Sequence, residues 1–441
     1  MKPFLWLSTV ALLECLAVTS SSAGLAPKRS VLDNGLVLVT SERRALPMVA
    51  IELLIAAGSR YDPRDREGAA NLVARLLTYG TRERSALQIN ETLDFIGASL
   101  STSCAEDLVT VSLTILKKDL DTGLKLLSEI LTESVFPPEE VDRQKQSVAA
   151  LIRAKEENPG DVAQRKFQET LYPDSRLGKP VEGTEVSLRA IGRDDLLDFF
   201  HRYYRPNRTI VAVVGDISHA EMERAVAAAF RSWREGEPPA GPLTPAVPEA
   251  ARTVRVDKEL TQANIILGHE GIGRENPDYY AVQVMNYILG GGGFSSRAVE
   301  AIRNQRGLAY SVYSYFGAEK GRGTFEFVMQ TRNETAREAI RLAREEIRRI
   351  REQPVGEEEL SDAKQYLIGS FPLRLDTNRR MASFLAQVEY FGLGLDYPER
   401  YPEYIRRVSR EDVLRVAQKY LHPDKLITVI VGDAKKIGDS G

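Results

Sequence analysis

Apolar and polar positions alternate along the chain in two rhythms, and the same succession of rhythms occurs twice. The segment "RDDLLDFFHRYYRPNRTIVAVVGD" (193–216) aligns without a gap to "REDVLRVAQKYLHPDKLITVIVGD" (410–433), every position being 217 apart from its counterpart. Each copy reads as an amphipathic helix, a proline-containing turn and a β-branched strand stopped by Gly-Asp. Chance supplies a helix followed by a strand, but hardly the same residues in register. A second pair supports the duplication: "FPPEEVDRQKQSVAALIRAKEENP" (136–159) and "QPVGEEELSDAKQYLIGSFPLRLDT" (353–377) each carry a proline, an acidic first turn and a long helix. Acidic residues there suit the positive end of the helix dipole.

Within each copy, strands flank helices. "VAIELLIAAGS" (49–59) and "SCAEDLVTVSLTIL" (103–116) flank helices predicted around 66–79 and 87–97. "ANIILGHEG" (263–271) and "GTFEFVMQT" (323–331) flank helices near 277–289 and 296–306. The economical assembly is α+β: two similar domains, each a mostly antiparallel sheet with helices packed on one face, facing one another as a clamshell. The domains are expected at 28–234 and 253–441, joined across 235–252, where "EGEPPAGPLTPAVPEA" (235–250) reads as an extended linker.

Composition refines this picture little. The 441 residues exceed one hydrophobic core. An apolar fraction of 43% and a charged fraction of 27% are ordinary for a globular protein. A net charge of −3 gives no reason to expect nucleic acid or a polybasic membrane anchor. The N-terminus says more. "MKPFLWLSTVALLECLAVTSSSA" (1–23) has a basic Lys2, an apolar stretch from Phe4 to Leu13 and small residues ending at Ala23, the layout of a secretory signal peptide. Its apolar stretch is shorter than the roughly 20 residues of a membrane span. Export, to the periplasm, is therefore expected, with no stable membrane insertion after removal of the signal. Loss of Cys15 with the signal leaves Cys104 alone, expected as a buried structural thiol.

Candidate chemistry gathers around "NYILGGGGFSSRAVEAIRNQRGLAYSVYSYF" (286–316). A lone glycine run usually marks a flexible turn, and no lysine follows Gly290, Gly291, Gly292 and Gly293 at P-loop spacing. Together, the glycine-rich turn, Ser-Ser-Arg, the late helical Arg303 and "GLAY" resemble the C-terminal domain of pitrilysin/insulinase-type zinc metallopeptidases, in the processing-peptidase branch. The resemblance runs from about Leu32 to Asp433 and implies a clamshell of two related domains.

In that family the frame of "AAGSRYDPRDREGAANLVARLLTYGT" (56–81) carries H-x-x-E-H, with the first and last histidines on one side of a helix. Two histidines and a distant glutamate hold zinc, and the intervening glutamate activates water. Here those places hold Asn71, Ala74 and Arg75, and the distant ligand falls opposite Ala150 or Leu151, with Glu156 and Glu157 a turn or more away. Of the four histidines (His201, His219, His269 and His422), none lies within helix-turn distance of another. The resemblance therefore implies a chain with no metal and no cofactor of its own.

It also implies that Arg303 and Tyr310, with the glycine loop, contact substrate. An arginine fork and a phenol can both donate to a peptide carbonyl. Ser295 or Ser296 is expected to cap the helix, and Gly307 to release it into the strand bearing Tyr310. "FGAEKGRGTFEF" (316–327) is expected as an edge strand open to β-augmentation by an extended peptide. The function implied is that of a non-catalytic, substrate-binding subunit of an exported heteromeric zinc peptidase, inactive alone. Its partner is a zinc-bearing subunit of the same family and its substrate a peptide or unfolded protein. A peptide-binding or scaffold protein of the same fold, and a self-sufficient enzyme with another site, are the alternatives.

Overall fold

The computed structural model describes residues 25–237 and 246–438; the expected signal peptide lies outside them. The first half builds a sheet from β1 (Lys28–Val31), β2 (Val37–Glu42), β3 (Met48–Ile55), β4 (Ser99–Cys104), β5 (Val109–Leu116) and β6 (Thr209–Gly215), in the order β1-β2-β6-β3-β5-β4. The second uses β7 (Arg252–Asp257), β8 (Gln262–Glu270), β9 (Ala309–Glu319), β10 (Arg322–Arg332) and β11 (Ile427–Gly432), in the order β7-β11-β8-β10-β9. Dropping β1, the two orders are the same. Each sheet has one parallel pair, β2 with β6 and β7 with β11, and is otherwise antiparallel.

Two predicted strands prove to be hairpins. Residues 103–116 end β4 and form β5 around a turn in which the Ala105 N–H donates to the Leu108 carbonyl at 2.9 Å. Likewise 316–327 is no single edge strand: the chain reverses at Gly321, whose φ is +73°. β10 is then interior, paired on both sides, and of the two strands in this hairpin β9 is the edge. Period-two patterning continues through a tight turn, so the sequence hides the reversal.

Each half packs its own helices on one face of its sheet. Leu53, Leu72, Leu127 and Phe199 belong to the first core, and Leu267, Phe327, Ile347 and Val416 to the second. The opposite face of each sheet is covered from the other half. Helix Pro159–Leu171 leaves the first half and lays Val162, Ala163 and Phe167 on Ile266 and Val429 of the second sheet. Helix Asn378–Phe391 reciprocates, setting Ala382, Leu385 and Ala386 against Ala50, Leu54 and Val214. The fit is close: a Cβ on Gly268 would stand 2.6 Å from the Phe167 ring, so only glycine admits that ring. Asp107, in the β4–β5 turn, accepts from Arg60 at 2.5 Å and from Arg322 of the other half at 3.0 Å.

Leu385 is fully buried between the halves. Leu385→Ala is expected to cost about 2–5 kcal/mol, read as a lower urea midpoint with native secondary structure in circular dichroism. An unchanged midpoint would show that the exchanged helix carries little of the stability.

Candidate functional site

Helix Ala69–Leu76 is set by what precedes it. Gly68 turns at a φ of +98°, and the buried Asp62 carboxylate accepts the N–H groups of Gly68 and Ala70, both at 2.8 Å. Burial pushes the Asp62 carboxyl up to about 7, against the pull of those two donors. Leu72, Val73 and Leu76 fill the core, which leaves Asn71 and Arg75 on the partly open face and Ala74 buried.

Arg75 reaches the long helix Pro138–Glu157, where its Nε donates to Gln144 Oε1 at 3.2 Å. Asn71 Oδ1, one turn earlier, is buried without a hydrogen-bond partner. Ala150 and Leu151 lie further along Pro138–Glu157 and are exposed. An amide, a methyl group and a guanidinium cannot chelate a divalent cation, and the guanidinium opposes it electrostatically. No group of three or more His, Cys, Asp or Glu able to hold a metal gathers among the described residues.

Two histidines far apart in sequence do meet: the rings of His269 and His422 lie 5.1 Å apart. Both His269 nitrogens are committed, Nε2 accepting from the His422 N–H at 3.0 Å and Nδ1 facing the Glu270 carbonyl at 2.6 Å. Burial pulls the His269 pKa down to about 4. This is a structural imidazole held neutral. Cys104, expected to be buried, is half-buried on edge strand β4; its thiol faces the Ala105 carbonyl at 3.4 Å, and burial raises its pKa.

The second-half residues gather around the glycine run. Helix Tyr279–Asn286 widens into a π-turn over Tyr287–Gly291, and a second π-segment spans Val299–Asn304. Such turns are rare and concentrate at functional sites. Gly290 is no flexible spacer. A Cβ there would stand 2.5 Å from Ser314 Oγ, and Asn286 clamps Ser314 through its Nδ2 (3.2 Å to the carbonyl) and Oδ1 (2.8 Å from Oγ). Gly293, with a φ of +58°, turns the chain outward, and Ser296 Oγ accepts the Val299 N–H at 3.5 Å.

Arg303 sits in the second π-segment, and Gly307, with a φ of +62°, passes the chain into β9. Tyr310 is the second residue of that edge strand and is 74% exposed. The π-segment packs against β9, but no hydrogen bond joins the two side chains. What the sequence reading missed is Phe294. Equally exposed, it lies 4.9 Å below the Arg303 guanidinium. Its only signal was a lone large apolar residue between the glycines and the serines.

The comparisons with known proteins agree with this geometry. Residues 37–185 match the family model described as insulinase (peptidase family M16), and residues 190–367 the model described as the peptidase M16 inactive domain. The chain is 30% identical over 410 residues to an uncharacterized zinc protease of Streptomyces coelicolor, covering 91% of this chain and 89% of that one. It is 26% identical to a Helicobacter pylori protein named a non-peptidase homolog, over 90% and 92% of the two chains. A crystal structure titled peptidase M16 inactive domain, from Pseudomonas fluorescens, superposes with a TM-score of 0.88 at 28% identity, covering 93% of this chain and 99% of that one.

Two outcomes are expected. The triple variant Asn71→His, Ala74→Glu, Arg75→His should hold no zinc after dialysis, measured by plasma emission, because no carboxylate stands at 150 or 151. Retained stoichiometric zinc would show the frame still competent. Between pH 6.5 and 4, unfolded chains protonate His269 while the fold keeps it neutral, so stability falls as pH drops through that window. His269→Gln should flatten the urea midpoint across this range; an equally steep profile would assign the slope to other groups.

Proposed function

Because the chain belongs to the insulinase (M16) peptidase family, we propose that it is the metal-free, substrate-binding subunit of an exported, periplasmic two-chain peptidase. It is a non-catalytic M16-like protein. Its partner is a zinc-bearing subunit of the same family, and its substrates are peptides or unfolded segments. One contrast carries the reading. The first half has an amide, a methyl group and a guanidinium where the family places its metal set, while the second presents Arg303 and Tyr310 on an accessible surface.

In this role Arg303 offers a fork of donors and Tyr310 a phenolic hydroxyl to the backbone of a bound peptide. Phe294 holds the guanidinium by a cation–π contact, which limits the directions the fork can take. The clamp of Asn286 on Ser314 fixes the glycine turn beside them. Orientation of this kind assists a reaction whose metal belongs to another chain. The no-metal frame also suits a peptide-binding protein without peptidase role, a reading favoured by the Helicobacter pylori relative, named a non-peptidase homolog.

Mixing decides between them. Quenched-peptide turnover is expected only when the chain is combined with the zinc-bearing chain, with Arg303→Ala and Tyr310→Phe each lowering it about tenfold or more. Phe294→Leu should fall between wild type and Arg303→Ala. Turnover by the partner alone at the full rate, or unchanged rates in both variants, would leave the scaffold reading.

A further inference from the structure

Helix Asn378–Phe391 does more than cover the first sheet. Its flank and the β4–β5 turn border a cleft of about 610 Å³ between the halves, within the range of about 300–1,000 Å³ usual for ligand sites. Arg274 lines it and is only 8% exposed, yet its side-chain partners among the described residues are tyrosines and not carboxylates. Its Nη2 donates to the Tyr397 hydroxyl at 2.9 Å, and its guanidinium lies 3.7 Å from the Tyr279 ring centroid. Arg374 lines the same cleft, exposed and also without an ion pair. Both guanidiniums act electrostatically on the Tyr279 phenol.

Two cations lining one cleft repel each other. Aromatic faces and a hydroxyl offset only part of the cost of a buried charge. The cleft also contains three carboxylates: Asp107, already paired with Arg60 and Arg322, and Glu106 and Glu319, neither of which forms an ion pair among the described residues. Burial raises the Glu319 carboxyl above its ordinary range, with Asp107 adding to the effect. The cleft thus has unpaired charges of both signs, and an occupant of both signs satisfies them. A phosphate dianion would meet Glu106 and Glu319; a carboxylate matches the planar guanidinium fork with half that charge.

We propose that this cleft binds the C-terminal carboxylate of a short basic peptide, with Arg274 and Arg374 holding the carboxylate and Glu106 and Glu319 facing its cationic group. Arg303 and Tyr310 do not line this cleft, and binding here needs neither zinc nor a second chain. Its success or failure is therefore separate from that of the two-chain peptidase.

Calorimetric titration of the full chain tests it, using the N-acetylated tetrapeptide Lys-Ala-Ala-Phe, in which the lysine ammonium is the sole cation. One-to-one binding is expected. Affinity should fall about tenfold or more when the C-terminus is amidated and in Arg374→Gln, an exposed position whose change leaves the fold intact. Norleucine in place of lysine, and Glu319→Gln, should each weaken binding. Absence of binding, indifference to amidation, or full affinity in Arg374→Gln overturns the proposal. Indifference to norleucine overturns the role of the two glutamates, and displacement by an equal concentration of inorganic phosphate shows a general anion site instead of a peptide site.

Discussion

A sheet apolar on both faces needs cover on both, and here each half supplies it for only one face of its own sheet. The remaining face of each is closed by a helix from the other half, Pro159–Leu171 in one direction and Asn378–Phe391 in the other. Opening the molecule would strip Val429 and Ile266 on one side and Leu54 and Val214 on the other. At about 25 cal/mol per Å² of apolar surface, separation is strongly opposed. The buried Asp107, shared by Arg60 and Arg322, adds a polar tie at the same seam. Such a carboxylate is costly to leave half-paired, so the tie favours one relative placement of the halves.

That exchange decides where function can reside. Surfaces between the halves are fixed, so the cleft with Arg274 and Arg374 is a preformed site. The other accessible chemistry lies at the sheet margin, where β9 ends the second sheet and carries Tyr310 beside the π-segment of Arg303. A wide π-turn is poorer in hydrogen-bond geometry than an α-turn. Here the segment of Arg303 is closed by Gly307 bonding back to Arg303, and the earlier π-turn by the close seat of Gly290 against Ser314. The glycine run is thus partly a packing device, despite its resemblance to a flexible loop.

Much of this was legible in the sequence because it rests on local signals. The repeat at 217 residues announced two like sheets, and the β-branched runs at 209–215 and 427–432 announced the strand after each helix. Other features were not legible, each for a physical reason. Hairpin turns at 105–108 and 320–321 hide within continuous alternation. The exchange of helices is a long-range choice: Phe167 is apolar wherever it packs, and only Gly268 opposite it records the contact. Arg274 is one arginine among many until the fold surrounds it with tyrosines.

The fold also explains how a metal site can be lost without the domain. Helix Ala69–Leu76 is held by Asp62 at its start and by Leu72, Val73 and Leu76 in the core, none of which a metal ligand would replace. Arg75 carries the positive charge that its position requires least, yet it is tolerated because Gln144 accepts from it and its remaining donors reach the partly open face. Folding therefore asks for no metal ligand here: Ala74 serves the core, and Asn71 and Arg75 sit on the partly open face. Nor does it demand an exposed Phe294 or Tyr310, since an apolar side chain left in water contributes nothing to the core. The two surfaces differ in the interaction still available to them: the first has no donor set for a cation, whereas the second retains an aligned guanidinium and a free phenol. The proposed two-chain division of labour rests on that asymmetry more than on the degenerate helix by itself.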